Sequence, residues 1–128
     1  MSLDGRVDRF LLIVGAGSAF FAVGLGAFAA HGLKATLPPD SLATFEVGVR
    51  YQMYHALGLM GVGCLYGRYP SKLLATSGAL FVLGTLLFSG SLYLLATSGL
   101  RAVGMVTPFG GVAFLCGWVC LMVALWRS

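Results

Sequence analysis

Polar side chains that can take part in chemistry are concentrated in one short stretch of this sequence. Residues 46–55 hold an acid, a base, an amide, a histidine and two tyrosines, in a chain with only eight basic and four acidic residues. Five of these residues, together with a histidine further upstream, form the candidate polar site: His31, Glu46, Arg50, Tyr51, Gln52 and His55. Such groups can bind a small polar solute or pass protons along a chain of partners.

The spacing of these residues predicts two faces on one helix. One face carries Glu46, Arg50, Met53, Tyr54 and Leu57. The opposite face carries Gly48, Gln52, His55 and Leu59, with Tyr51 between the two. Glu46 and Arg50 are four residues apart, in the favourable order for an ion pair. Two interpretations stay open, a structural pair or a site for a ligand or proton, because a lone charge near hydrocarbon is costly.

The two histidines suggest a further kind of site. His31 ends the first apolar run and His55 begins the second, so both lie towards the same side of the molecule. Histidines on neighbouring helices can ligate a haem or a metal, or can simply bond to backbone carbonyls. No third ligand stands at a suitable spacing, and the sequence has no CxxC pair. We therefore predict no metal and no cofactor.

The remaining residue types give little support for catalysis. No Ser-His-Asp set can be assembled, because no acid lies within an uncharged run. The cysteines fall inside apolar segments, where we expect them to be small buried apolar groups: Cys64, Cys116 and Cys120. We therefore predict that the protein is not an enzyme and has no catalytic residue.

Composition indicates a membrane protein. Apolar residues make up 59% of the chain and charged residues 9%, whereas about a quarter of a soluble domain is charged. The basic residues are scattered beside apolar runs, which is typical of membrane anchoring and not of a face that binds nucleic acid. We therefore expect lipid to be the main partner.

Uncharged runs predict an all-α fold, a single domain over residues 1–128 with four transmembrane helices at about 10–31, 44–66, 73–97 and 102–126. The first run is longer than the roughly 7–15 residues of a signal peptide, so we expect it to be retained. The second helix should begin as an interfacial amphipathic segment after Pro38 and Pro39, with Asp40 or Ser41 as its N-cap. Pro108, followed by two glycines, predicts a kink or a broken first turn in the fourth.

Small residues should let these helices pack closely. Gly24 and Gly84 are predicted to face neighbouring helices, because a missing side chain permits close backbone approach in lipid. Ser89, Ser91 and Thr107 can form hydrogen bonds across helices, so we expect them to stabilise the bundle.

The distribution of basic residues predicts orientation. An even number of spans places both termini on one side of the membrane. Five basic residues collect there, namely Arg6, Arg9, Arg68, Lys72 and Arg127, against Lys34, Arg50 and Arg101 on the other side. The positive-inside rule then predicts that both termini are cytoplasmic.

Four motifs together resemble one family. They are Gly26–Leu33 (GAFAAHGL), Tyr51–Leu57 (YQMYHAL), Leu87–Tyr93 (LFSGSLY) and Thr107–Gly111 (TPFGG), which runs on to Gly117-Trp118. In this order they resemble the YgdD-like family of small four-helix membrane proteins, a domain-of-unknown-function family with a human relative. Ala29 stands where the family often has glycine. The resemblance implies a multi-pass protein of the bacterial inner membrane, and it carries over no catalytic residue.

These observations favour a non-enzymatic protein that packs with membrane lipid, with itself as a homo-oligomer or with a larger membrane complex, and so organises the membrane. The alternative is a small transporter or channel component with its polar site at the start of the second helix. An intramembrane enzyme or haem protein is the third interpretation.

Overall fold

The computed structural model describes residues 3–128, and these form helices joined by short turns. The α-helices are α1 (Leu3–His31), α2 (Pro39–Arg68), α3 (Lys72–Gly84), α4 (Gly90–Ser98) and α5 (Thr107–Arg127). A π-helical segment, Thr85–Ser89, joins α3 to α4 without a break, so we call Lys72–Ser98 the α3–α4 rod. No strand occurs within this part of the chain, and the predicted all-α class is confirmed.

Successive rods run antiparallel. Gly26 of α1 lies against Val49 of α2, whereas Gly15 of α1 lies against Met60 further along α2. The α3–α4 rod is antiparallel to α2, because Gly48 lies against Tyr93 and Gly58 lies against Phe81. Helix α5 is antiparallel to that rod, because Ser91 contacts Thr107 and Ser77 contacts Gly117. The chain is therefore an up-and-down bundle of four rods.

Helix α2 lies at the centre of this bundle. Helix α1 packs along one side of it, the α3–α4 rod packs along another, and α5 packs chiefly on the rod. The main core cluster draws on all four rods: Leu11, Leu59, Val62, Tyr66, Leu74, Phe81 and Phe114. A smaller cluster, Ala29, Leu33, Phe45 and Ala96, closes the end near the first turn. A central position allows α2 to be the least apolar rod, because its neighbours shield it.

Within residues 3–128, three helical stretches are long and apolar enough to cross a membrane, namely Gly5–Ala35, Lys72–Ser98 and Arg101–Arg127. They match the first, third and fourth predicted spans. Helix α2 does not belong to this set, because its mean hydropathy is lower: polar and small residues are interspersed among its apolar ones.

The residues at which α2 and α5 begin show that one prediction was wrong and confirm another. Helix α2 begins at Pro39 with Pro38 as its N-cap and no side-chain cap, so the prediction of Asp40 or Ser41 was wrong. Proline suits the first helical position, because its φ is already helical and its missing N–H would have no partner there. The predicted broken turn before α5 is confirmed: a 3-10 turn spans Arg101–Met105, and Pro108 lies in the first turn of α5.

The two glycine predictions had opposite outcomes. A Cβ at Gly84 would overlap the Phe114 ring, which confirms that this glycine permits close packing of α5 on the rod. Gly24 is exposed with nothing within 4 Å, so that prediction was wrong. It lies on the face of α1 turned away from α2, whereas Ala22 and Ala29 face inward.

The cysteines also differ from expectation. Cys64 and Cys116 are exposed, and only Cys120 is partly buried. The prediction of three buried cysteines was therefore wrong for two of them, since an apolar run does not indicate which of its faces meets lipid.

Candidate functional site

Gln52 joins three rods from the centre of the bundle. Its side chain is buried, and its Nε2 donates a hydrogen bond to the Ser18 carbonyl of α1 at 2.9 Å. Its Oε1 accepts a hydrogen bond from the Tyr93 hydroxyl of the α3–α4 rod at 2.6 Å. Both ends of the amide are therefore used between helices.

His55 is held in one neutral tautomer. Its Nδ1 lies 2.7 Å from the Tyr51 carbonyl, and the Trp118 indole N–H donates to its Nε2 at 3.0 Å. A carbonyl only accepts and an indole N–H only donates, so the proton of the imidazole is on Nδ1. The ring also stacks on Phe114, with centroids 3.5 Å apart and planes 8° apart. Because both nitrogens are engaged, His55 has no free lone pair for a metal.

Serine hydroxyls bind backbone carbonyls across the bundle. Ser89 donates to the Gly48 carbonyl at 2.7 Å, and Ser77 donates to the Gly117 carbonyl at 2.8 Å. Ser91 and Thr107 share a hydrogen bond of 2.5 Å. The predicted interhelical roles of Ser89, Ser91 and Thr107 are confirmed.

The polar interior has no unused groups. Among the described residues, every buried side-chain nitrogen or oxygen has a hydrogen-bond partner. No group of three or more His, Cys, Asp or Glu side chains in the same residues is placed to hold a metal ion. The buried polar residues thus form a closed network that ties helices together.

The structure separates the candidate site residues. Gln52 and His55 share one face of α2, as their spacing predicts, and that face is buried in the bundle. Tyr51 supplies the carbonyl that holds His55. His31 is exposed at the end of α1, and the antiparallel register places it several turns from His55.

Glu46 and Arg50 both point outward from the predicted face of α2. Neither forms an ion pair or hydrogen bond within residues 3–128, so the predicted pair is absent. A spacing of four residues on a helix brings two side chains within reach of each other but does not enforce a pair.

Three hydrogen-bond partners in this network were not predicted from the sequence. Tyr93 is the sole tyrosine in the third predicted span, and a buried phenol needs a hydrogen-bond partner, so that signal was available. Trp118 could have been singled out by the same argument. Ser18 contributes its backbone carbonyl, which no feature of the sequence marks.

A lateral cavity of about 510 Å³ opens between α1 and the α3–α4 rod, with α2 as its floor. Its walls are mostly apolar: Val14, Gly17, Phe21, Ala56, Leu59, Val82, Leu86 and Gly90. Polar side chains reach it at Ser18, Gln52, His55, Thr85 and Tyr93. The bonds described above already occupy Gln52, His55 and Tyr93, so the cavity suits an apolar guest better than a hydrated one.

A second cavity of about 520 Å³ lies at the end of the bundle near the C-terminus of α5. Lys72 and Arg127 stand beside apolar walls that include Leu65, Leu74 and Leu125.

Fold and site together define a small helical bundle with a largely apolar exterior and an apolar core that contains a few hydrogen-bonded polar side chains. The chain belongs to the family described as "Protein of unknown function (DUF423)", whose model matches residues 25–111. The predicted family resemblance is confirmed.

Relatives align over nearly the whole chain. The UPF0382 membrane protein YwdK of Bacillus subtilis (strain 168) is 44% identical over 117 residues, which are 91% of this chain and 95% of the relative. The UPF0382 inner membrane protein YgdD of Escherichia coli (strain K12) is 44% identical over 120 residues, 94% of this chain and 92% of the relative. No solved structure matches the chain.

Proposed function

We propose that this protein crosses the bacterial inner membrane four times, with both termini in the cytoplasm, and organises the bilayer by binding lipid without enzymatic chemistry. The names of its relatives support the membrane: YwdK is called a membrane protein and YgdD an inner membrane protein. The closed hydrogen-bond network supports a non-catalytic role, because its polar atoms are already used within the fold.

The antiparallel register supports the fourth crossing. Helix α2 has 30 residues, about 45 Å at 1.5 Å per residue, and it runs back along α1 for most of that length. If α1 spans the bilayer, α2 must cross it in the opposite direction. Its buried polar side chains face other helices, where their hydrogen bonds compensate for burial.

The basic residues support the orientation. The end of the bundle that carries both termini also carries Arg68 and Lys72, while the other end carries Lys34 and Arg101. Five bases against three favour the first end as cytoplasmic, and Arg50 counts among the three only by its position in the chain.

The lateral cavity carries the proposal of lipid binding. It opens between two membrane-spanning rods, so its entrance faces acyl chains. Apolar walls bind such a chain by contact, without the cost of removing water from a charged group. The occupant is therefore the acyl chain of a bilayer lipid.

Filling the cavity tests this proposal. Gly17 and Gly90 line it, and a Cβ at either position would have nothing within 4 Å. Gly17→Leu and Gly90→Leu should fold normally and retain several-fold less lipid after purification in mild detergent, measured by quantitative lipid mass spectrometry. Gly24→Leu is the matched control, because Gly24 is equally unobstructed and lies outside the cavity. Equal lipid retention in all three variants would refute acyl-chain binding in this cavity.

A small transporter or channel component is the second candidate. It is favoured by the presence of Gln52 and His55 at the cavity floor and of Tyr93 in the wall formed by the α3–α4 rod. A polar solute that raises the melting temperature of the parent, and does so less for Gly90→Leu, would support transport over lipid binding.

A further inference from the structure

One face of α2 points away from the rest of the bundle along much of the helix. This outer face consists of Glu46, Arg50, Tyr54, Leu57 and Gly61. Tyr54 is 52% exposed and Leu57 is 58% exposed, and a Cβ at Gly61 would meet nothing within 4 Å. The face is therefore available to a partner.

The two charges of this outer face lie near one end of the apolar part of the bundle. Gly26 of α1 lies beside Val49 and Gly15 beside Met60, so Arg50 lies level with about Leu25 of α1. Leu25 is in the last third of the uncharged run Phe10–Ala30. Glu46 lies about 6 Å nearer the end of the bundle. Intramembrane charges are rare and almost always face protein or water, because they are costly in lipid.

Neither charge is neutralised within the chain. Over residues 3–128, Glu46 and Arg50 form no ion pair and no hydrogen bond, and both side chains are exposed. Both charges are therefore accessible to charges of another chain.

We propose that a second copy of this chain covers the α2 outer face, an inference that rests on the four-span arrangement proposed above. The face carries one charge of each sign, so it is self-complementary under a two-fold axis along the membrane normal. Two parallel α2 helices then place Glu46 of each copy beside Arg50 of the other. Leu57 adds apolar contact, and Gly61 allows the helices to approach closely.

Charge reversal tests the pairing. Glu46→Arg gives a face with two positive charges, and Arg50→Glu gives a face with two negative charges. Each variant alone should lose the dimer that the parent forms in mild detergent, measured by size-exclusion chromatography with light scattering. Co-expression of the two variants under different tags should restore a dimer that contains both. A salt bridge within one helix cannot produce this result, because neither variant can form one.

A second variant guards against misfolding of the charge-reversed chains. Gly61→Trp adds bulk where its own chain leaves open space, so the monomer should keep its melting temperature while the dimer is lost. A monomeric parent, dimers that survive all three single changes, or no mixed dimer on co-expression would each overturn the proposal. Lipid retention in the lateral cavity should stay normal in Gly61→Trp, since that cavity lies on other faces of α2. Failure of the dimer is thereby distinguished from failure of lipid binding.

Discussion

Gln52 shows why polar residues in α2 need not indicate catalysis. Its amide forms hydrogen bonds to α1 at one end and to the α3–α4 rod at the other, so both ends of the side chain are held in place by the fold. Hydrogen bonds between membrane helices contribute on average about 0.6 kcal/mol each, so several together make a measurable difference. His55 fits the same pattern, with one nitrogen bound to its own helix and the other to α5.

The Gln52–Tyr93 bond is open to a double-mutant cycle. Gln52→Leu removes two interhelical bonds and should lower the free energy of unfolding by about 1–2 kcal/mol. Tyr93→Phe should cost less, and the double variant should lose less than the sum of both, because each single change strands the other partner. Unfolding in mixed detergent measures these values. Tyr54→Phe is the control, since Tyr54 is exposed; a Gln52→Leu protein as stable as this control would contradict the account.

Residue spacing predicted which side chains share a face better than it predicted their partners. The helical period placed Gln52 and His55 on one face of α2 and Glu46 and Arg50 on the opposite face, and the structure shows that the first face is buried and the second exposed. It did not identify Tyr93 and Trp118 as partners, because the rotation of one helix against another depends on tertiary packing. The Glu46–Arg50 pair was wrong for a related reason: helical proximity permits a pair but does not enforce one.

The α3–α4 rod shows an irregularity that its sequence does not predict. Uncharged residues indicated one continuous span, and the rod is continuous, but Thr85–Ser89 form a wider π-helical turn. Helix α5 approaches this turn so closely that a Cβ at Gly110 would overlap the backbone of Phe88. The turn also presents Ser89 to the Gly48 carbonyl of α2. Such turns depend on contacts between helices, which local sequence patterns do not report.

Glycine positions provide a test of packing at the scale of helices. Gly84→Leu should destabilise the protein by about 1–3 kcal/mol or more, because its side chain would overlap Phe114. Gly24→Leu should leave stability unchanged or improve it, since an exposed glycine in a helix costs up to about 1 kcal/mol. Melting temperatures in one detergent compare the two. A similar loss of stability in both variants would contradict close packing of α5 on the rod at Gly84.

At the scale of the whole molecule, the least apolar rod, α2, packs between α1 and the α3–α4 rod, and α5 packs on the α3–α4 rod. This arrangement hides the buried polar groups of α2 and leaves its one charged face outside. Composition and run length were enough to predict an all-α protein and the positions of its rods. They were not enough to predict the lateral cavity, which depends on how α1 and the α3–α4 rod pack on either side of α2.

Cysteine labelling of the turns before and after α2 shows directly whether this helix crosses the membrane. Thr36 and Pro70 are exposed in the turns before and after α2, so each can be replaced by cysteine after the three native cysteines are changed to serine. We expect a membrane-impermeant maleimide to label Thr36→Cys in intact spheroplasts and to label Pro70→Cys only after the membrane is permeabilised. Labelling of both positions from the same side would contradict the account, because α2 would then begin and end on one face of the bilayer.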